Sequence, residues 1–395
     1  MDPIANSNAE TNRRTSVLLA ANAKPGVGGQ GLNLKHMMEG YRGLDSVDLK
    51  TFCQGHLDGF DISQVGVSPF VQFCARTPGF RRLRGLYVQA GESYFDKSVA
   101  AAIEKSDFFQ GVTGQCLRSL RKASKSGART RLDVITTHAE VYHREQVCEC
   151  ADFGIDPTMS HSHLRKTLEE YSLADEIRVM SDVVRNMFLE RGFDENRVFT
   201  ARPPLDWEQI PSEPDVLERF PERFTVSFAG LLEPAKGFHY LVRAFGKLDD
   251  PDAELHLWGS PGSRPVTDFM NKAIGADPRV SMKTGSIRQL GYGNVYGGCS
   301  VLVHPSLADG FGYVVAEAMA CGRPVIVTQN TGAADLVSDG ENGFIVPIRD
   351  TNAILEKLEY LQKNPEMCLK MGALARKSAE NLTFENFRRK IGHGL

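Results

Sequence analysis

The residues best suited to chemistry lie between Val301 and Thr328, in the run VLVHPSLADGFGYVVAEAMACGRPVIVT. Asp309 and Glu317 stand there with seven residues between them, and Gly310 and Gly312 follow the aspartate at once. Apolar residues ending at Pro305 read as a buried strand, the aspartate and glycines as a loop, and Tyr313 to about Cys321 as a helix stopped by Gly322 and Pro324. Pro324 to Val327 gives the next strand. A strand, glycine loop and helix in this order present the amides of a helix N-terminus to an anion. Glu317, on an otherwise apolar helix, requires a polar partner.

Two other places carry candidate groups. After the short apolar strand Ser16–Ala21, glycines at 26, 28, 29 and 31 lead into a helix expected to begin near Leu32. Gly28 and Gly29 make a phosphate-binding turn possible, yet the spacing is neither Gly-x-Gly-x-x-Gly nor a P-loop, and a flexible turn is the other reading. His138 follows the expected strand Asp133–Thr137, where α/β folds place ligands; it can donate to a substrate or cap the strand. His143, Cys148, Cys150, His161 and His163 lack paired Cys-x-x-Cys spacing, so no metal site is expected.

The elements that must hold these groups fall into two series. Asp175–Met180 is a strand candidate, and Ser181 caps a helix from Asp182 to Arg191. The stretch ARPPLDWEQIPSEP, from Ala201, has no periodicity and reads as a linker. Beyond it the strand, loop and helix pattern begins again at Phe224–Gly230, with further strands at Glu254–Gly259, Val280–Lys283 and Val301–His304. Two βα series joined by a linker predict two doubly wound, Rossmann-like α/β domains facing each other across a cleft. Lys50–Gln54, Val65–Gln72 and Arg84–Gln89 fit strand or helix equally.

Bulk composition narrows the class. At 395 residues, 42% hydrophobic and 24% charged, with a net charge of -3, the chain reads as an ordinary soluble protein without the basic excess of a nucleic-acid binder. No membrane span or secretion signal is evident, so a cytoplasmic location is expected, and the eight scattered cysteines read as reduced thiols. Two basic segments, 80–86 and 108–131, are either solvated helix faces or contacts for an anionic membrane surface.

Against this frame, three pieces in register are similar to one family: FAGLLEPAKGFHYLVRAF, LHLWGS, and HPSLADGFGYVVAEAMACGRPVI with the downstream NTGAADLVSDGENGFIV. They resemble the nucleotide-sugar domain of retaining glycosyltransferases of the GT-B fold, in particular glycosyltransferase family 4, the glycosyl transferases group 1. The turn at Gly28 and Gly29, THAE around His138 and IRVMSDVVRNMF fit the first domain of that family more loosely.

The resemblance implies an acceptor domain over 1–206, a nucleotide-sugar domain over 207–378, and a segment 379–395 returning to the first domain. It implies transfer of a sugar to a hydroxyl of a glycan, lipid-linked or small-molecule acceptor, with retention by front-face attack and no obligatory metal or cofactor. Asp309, His138 and Lys236 would be the catalytic residues. Gly230, Lys236 and the amides of Tyr313 and Val314 would meet the diphosphate, and Glu317 the ribose. Asp309, Gly310, Phe311 and Gly312 would hold the donor sugar, Gly285 and Ile287 would lie by the base, and His138 with Gly28 and Gly29 would form the opposite wall.

Two positions depart from the family. Asp309 stands where glutamate is usual, and Leu231 stands where an arginine usually partners the lysine, leaving Lys236 alone or helped by Arg288 or Arg264. These departures raise the alternative of a catalytically weak nucleotide-sugar binder, and the fold itself leaves that of a nucleotide-sugar epimerase.

Overall fold

The computed structural model describes residues 13–77, 84–212, 221–283, 285 and 287–395, with the side chains of 74–76, 84, 86 and 87 excepted. Two parallel sheets organise the chain. The first holds β1 (Thr15–Ala20), β2 (Val47–Cys53), β3 (Asp61–Gln64), β4 (Phe108–Val112), β5 (Arg129–Val134), β6 (Glu176–Val179) and β7 (Val198–Thr200), in the order β3-β2-β1-β4-β5-β6-β7. The second holds β8 (Thr225–Ala229), β9 (Glu254–Trp258), β10 (Val280–Lys283), β11 (Val301–His304), β12 (Val325–Thr328) and β13 (Gly343–Val346), in the order β10-β9-β8-β11-β12-β13. Strands β4, β8, β11 and β12 are buried at every position, as apolar runs covered on both faces of a parallel sheet must be.

In both sheets the strand order reverses beside the first strand, between β1 and β4 and between β8 and β11. The crevices outside the carboxyl ends of strands at such switch points are where open α/β sheets take ligands. The connections after β1, β8 and β11 lead to Gly28 and Gly29 at the start of a helix, Lys236 in a short turn, and Asp309 in a loop.

Around the first sheet lie α1 (Gly28–Arg42), α2 (Pro69–Arg76), α3 (Arg84–Ala102), α4 (Leu117–Lys125), α5 (Ala139–Asp152), α6 (His161–Leu173) and α7 (Asp182–Leu189). Around the second lie α8 (Phe238–Phe245), α9 (Arg264–Ala276), α10 (Ile287–Leu290), α11 (Tyr292–Val295), α12 (Tyr313–Ala320), α13 (Thr351–Lys363) and α14 (Pro365–Ala379). The Ser181 hydroxyl caps α7 by accepting from the Val184 amide, as the sequence predicts.

The last helix, α15 (Phe384–Ile391), packs on α1 and puts Phe387 and Ile391 into the core of the first sheet. Arg131, fully buried, fixes this return by donating to the carbonyls of Ile391 at 2.7 Å and His393 at 3.0 Å. Its own charge is balanced by Glu176 at 2.8 Å.

Several expectations are corrected. Segment 108–131 is not one amphipathic surface: it folds as β4, α4 and β5, and Arg131 belongs to the interior because its charge is spent on Glu176 and on helix-end carbonyls. Of its other basic groups, Arg121 pairs with Glu169 and Lys122 donates to the Ala100 carbonyl at 2.7 Å. In the other basic segment, residues 80–83 lie outside the described residues, as does the polar start, 1–12.

Helix α1 begins at Gly28 rather than near Leu32, because the Gly26 amide bonds the Gly31 carbonyl at 2.7 Å and closes the turn early. A Cβ on Gly31 would overlap the Lys24 carbonyl, so that position must be glycine. Strand β5 ends at Val134, leaving 135–137 as a loop before His138. The described part of the expected linker is packed: Leu205 and Ile210 are buried, and Trp207 Nε1 donates to the Leu382 carbonyl at 3.2 Å. Lys50–Gln54 resolves mainly into β2, Val65–Gln72 runs into α2, and Arg84 opens α3.

Candidate active site

The loop after β11 brings Asp309 under the turn that follows β8. That turn is a short 3-10 helix, Pro234–Lys236, ended by Gly237 at φ 68°, where a Cβ would overlap the Pro305 carbonyl. Only glycine lets the two loops approach this closely. The result is an ion pair between Lys236 Nζ and Asp309 Oδ2. His304, at the end of β11, adds its Nε2 at 3.0 Å from the same oxygen, and the Phe311 amide donates to Oδ1 at 3.3 Å. Burial disfavours the charged carboxylate, but Lys236 and His304 outweigh it and hold the Asp309 carboxyl well below the usual range.

Gly312, at φ 81°, is the N-cap of α12. The amides of Tyr313 and Val314, in the first turn, have no partner within the helix, and they face the end of the macrodipole that favours anions. Val314 and Tyr313 are half-buried, while Phe311 is buried among the core residues under α12.

One turn further into α12, Glu317 is buried and accepts from two tyrosines, Tyr292 on α11 at 3.2 Å and Tyr296 at 2.8 Å. These are its polar partners. Burial pushes its carboxyl up, a shift opposed by the Tyr296 hydrogen bond and by the nearby charge of Arg288. Tyr292 and Tyr296 escaped the sequence reading, although their spacing of four on a short helix was the available signal. His304 was also missed; it ends the strand that delivers Asp309.

The remaining expected residues occupy distinct places. Gly230 follows β8 at φ 135° and lies so close to Gly259 that a Cβ on the latter would overlap the Gly230 carbonyl. Leu231 beside it is exposed. Arg288, on α10, lies near Glu317, Tyr292 and His36, whereas Arg264 is exposed and faces Asp268 at 3.9 Å. Ile287 is half-buried and Gly285 is exposed, their neighbours 284 and 286 lying outside the described residues. Gly28 and Gly29 are exposed at the start of α1.

His138 is buried as the N-cap of α5, with Nδ1 accepting from the Glu140 amide at 3.3 Å and the ring 4.7 Å from that of Phe188. Burial, reinforced by Arg191, pushes its imidazole down to about 4. Its Nε2 is buried without a hydrogen-bond partner among the described residues. His143 contacts the Met159 carbonyl at 2.9 Å and His163 lies 3.2 Å from Glu92; no metal-holding group of three or more ligands occurs among the described residues.

Loops of the two domains meet directly at this site. A Cβ on Gly310 would overlap the Ile135 carbonyl, and Ser181 Oγ donates to the Gly310 carbonyl at 3.0 Å. Asp335 accepts from the Val183 amide at 3.1 Å at the start of α7. At the outer end of α5, buried Glu149 meets Arg349 Nε at 2.7 Å, His239 Nε2 at 3.1 Å and the Tyr240 hydroxyl at 3.2 Å.

Two parallel Rossmann-like sheets with opposed switch points define a GT-B architecture. Solved structures share it: sucrose-phosphate synthase from Thermosynechococcus elongatus superposes with a TM-score of 0.73 at 17% identity, covering 96% of this chain and 98% of that one. Anabaena HepE, in complex with UDP-glucose, gives 0.73 at 16% identity over 96% and 98%.

Residues 209–378 match the family of glycosyl transferases group 1, so the second domain carries that family's sequence pattern. Curated relatives include a trehalose synthase of Pyrococcus horikoshii, 33% identical over 176 residues that form 41% of this chain and 41% of that protein. The capsular polysaccharide biosynthesis glycosyltransferase CapM of Staphylococcus aureus is 26% identical over 55% of this chain and 60% of its own length. The putative glycosyltransferase EpsD of Bacillus subtilis is 42% identical over 79 residues, 20% of this chain. The chain thus spans between 21% and 60% of the length of these relatives.

Proposed function

We propose that this protein is a retaining glycosyltransferase that moves a hexosyl group from a nucleotide-sugar to an acceptor hydroxyl in glycan or glycoconjugate biosynthesis, in the cytoplasm. The observation that carries the reading is the pairing of Lys236 with Asp309 at the N-terminus of α12, one face of which also carries Glu317. The group 1 match over 209–378 and relatives named for capsular polysaccharide work support it, as does a structural neighbour holding UDP-glucose.

In this reading residues 207–378 bind the donor and 1–206 the acceptor, with 379–395 tying the second domain to the first. Lys236 and the amides at Tyr313 and Val314 neutralise the charge that develops on the leaving diphosphate, so no metal is required. With Arg264 turned to solvent and Leu231 apolar, Lys236 carries this task without a neighbouring guanidinium from either position. The carboxylate of Asp309, already ionised by its neighbours, accepts from a donor-sugar hydroxyl. Glu317, oriented by two tyrosines, has lone pairs left for the ribose.

The nucleoside diphosphate leaves and the acceptor oxygen attacks on the same face of the anomeric carbon, the departing phosphate taking the hydroxyl proton, so no carboxylate nucleophile pair is needed. Thermal unfolding with a panel of nucleoside diphosphates and their sugars tests the reading, since a specific donor raises the melting temperature by mass action. A panel without a single stabilising member would refute it.

A further inference from the structure

His304 is the last residue of β11 and pairs in register with Val327 of β12, so its backbone belongs to the second sheet. Its side chain is buried and stacks on Phe228 of β8, the ring centroids 6.3 Å apart and the planes inclined by 16°. Close packing against a core ring leaves the imidazole one orientation. In that orientation Nε2 stands 3.0 Å from Asp309 Oδ2. An ionised carboxylate only accepts, so Nε2 carries a hydrogen and donates it. Nδ1 is buried without a hydrogen-bond partner among the described residues. A ring kept for packing alone would cost less as phenylalanine, because a buried polar atom without a partner is destabilising. The penalty falls on one nitrogen and the benefit on the other.

Asp309, by contrast, belongs to a loop. Three donors reach its carboxylate: Lys236 and His304 on Oδ2, and the Phe311 amide at 3.3 Å on Oδ1. Each carboxylate oxygen has two lone pairs, so Oδ2 is filled from within the protein and Oδ1 keeps one lone pair for a ligand hydroxyl. The two partners of Oδ2 differ in stiffness. Lys236 arrives on a flexible aliphatic stem with its side chain 32% exposed, and His304 on a rigid ring carried by a strand. Once a diphosphate draws the ammonium away, the histidine still fixes Oδ2, and with it the direction of Oδ1.

We infer that His304 is a positioning residue: its Nε2 hydrogen holds Asp309 Oδ2 so that Oδ1 meets a hydroxyl of the donor sugar while Lys236 turns to the diphosphate. The inference rests on the glycosyltransferase reading and adds to it a residue that acts through Asp309 without touching the substrate. Loss of the donor nitrogen should therefore spare affinity for the nucleoside diphosphate, which Lys236 and the α12 amides bind, and impair turnover, which needs the sugar in place.

The test compares His304→Phe, which keeps the stacking and removes the donor, with His304→Gln, whose side-chain amide nitrogen reaches about as far as Nε2. In His304→Phe the kcat of sugar transfer should fall roughly tenfold or more, as when a group that orients a functional side chain is removed, while the calorimetric Kd of the nucleoside diphosphate stays at the parent value. His304→Gln should recover most of kcat. Long-range proton–nitrogen NMR of the parent protein, which depends on no variant folding, should find a hydrogen on Nε2 of His304.

Parental kcat in His304→Phe, a diphosphate Kd that weakens together with kcat, no recovery in a folded His304→Gln, or a hydrogen on Nδ1 alone would each overturn the inference. If no nucleoside diphosphate stabilises the protein, the donor reading fails and the inference falls with it. A protein that binds the diphosphate and transfers sugar at the parental rate in His304→Phe loses the inference alone.

Discussion

Lys236 and Asp309 form an ion pair across two loops 73 residues apart, and His304 joins the same carboxylate oxygen at 3.0 Å. The cation expected to meet a diphosphate is therefore already engaged before any donor arrives. Donor binding must divide this ammonium between a phosphate and a carboxylate, and the close approach of the two loops at Gly237 is what brings the two into contact.

The pair separates two roles by substitution. Lys236→Ala should lower sugar transfer by roughly 10²- to 10³-fold, the loss typical of removing one preorganised group that stabilises developing charge. Asp309→Asn should lower transfer to a similar degree yet bind nucleoside diphosphates as tightly as the parent or tighter, since it releases Lys236. Isothermal calorimetry beside a transfer assay distinguishes them; weaker diphosphate binding in Asp309→Asn would count against the geometry.

Glu317 depends on its tyrosines. Tyr296→Phe removes the 2.8 Å donor from a buried carboxylate and should destabilise the protein by about 1–3 kcal/mol, the penalty of a buried polar group left short of a partner. Tyr292→Phe, losing a bond of 3.2 Å, should cost less. Urea unfolding of the two variants checks the order, and nucleotide-induced thermal shifts should shrink in both.

Gly310 controls the approach of the domains. Gly310→Ala puts a methyl group against the Ile135 carbonyl, so the variant should fold each sheet normally while the two sheets part. Small-angle scattering should report a larger radius of gyration, and transfer should fall with it. An unchanged radius would show that the loop yields elsewhere.

His138 gives a pH signature. Its folded value near 4 lies below the ordinary 6.5, so the folded state favours the neutral ring. The stabilisation this represents is complete above about pH 6.5 and is lost as the pH falls toward 4, because the unfolded chain takes up the proton first. Acidification from pH 7 to pH 5 should therefore cost the parent about 2 kcal/mol more than His138→Phe. Unfolding curves at both pH values measure this, and ring-carbon NMR should find the imidazole neutral at pH 6.

Much of the architecture was legible because it rests on local pattern. The apolar runs at Val301–His304 and Thr225–Ala229, fully buried, are readable as parallel strands from composition alone. Ser181 and Gly312 announce helix starts through side-chain and backbone preferences that act within a few residues. The acid spacing of Asp309 and Glu317 likewise put one group in a loop and the other inside the following helix, both of which the structure contains.

Long-range relations were not legible in that way. Arg131 reads as surface charge in a basic segment, and only the return of α15 turns it into a buried cap for the carbonyls of Ile391 and His393. His138 reads as a ligand at a strand end, but packing against Phe188 and Tyr171 encloses its ring. Tyr292 and Tyr296 carry no mark of their destination until α11 is laid beside α12.

The amino-acid sequence by itself determined two βα series, their switch-point loops and the residue types in those loops, since period, caps and glycines act locally. Only the tertiary structure decided that Lys236 meets Asp309 and that Glu317 is held by two tyrosines. It also decided that Gly310 lies under Ile135, because each of these depends on how elements far apart in the chain pack and on which charges find one another when water is excluded.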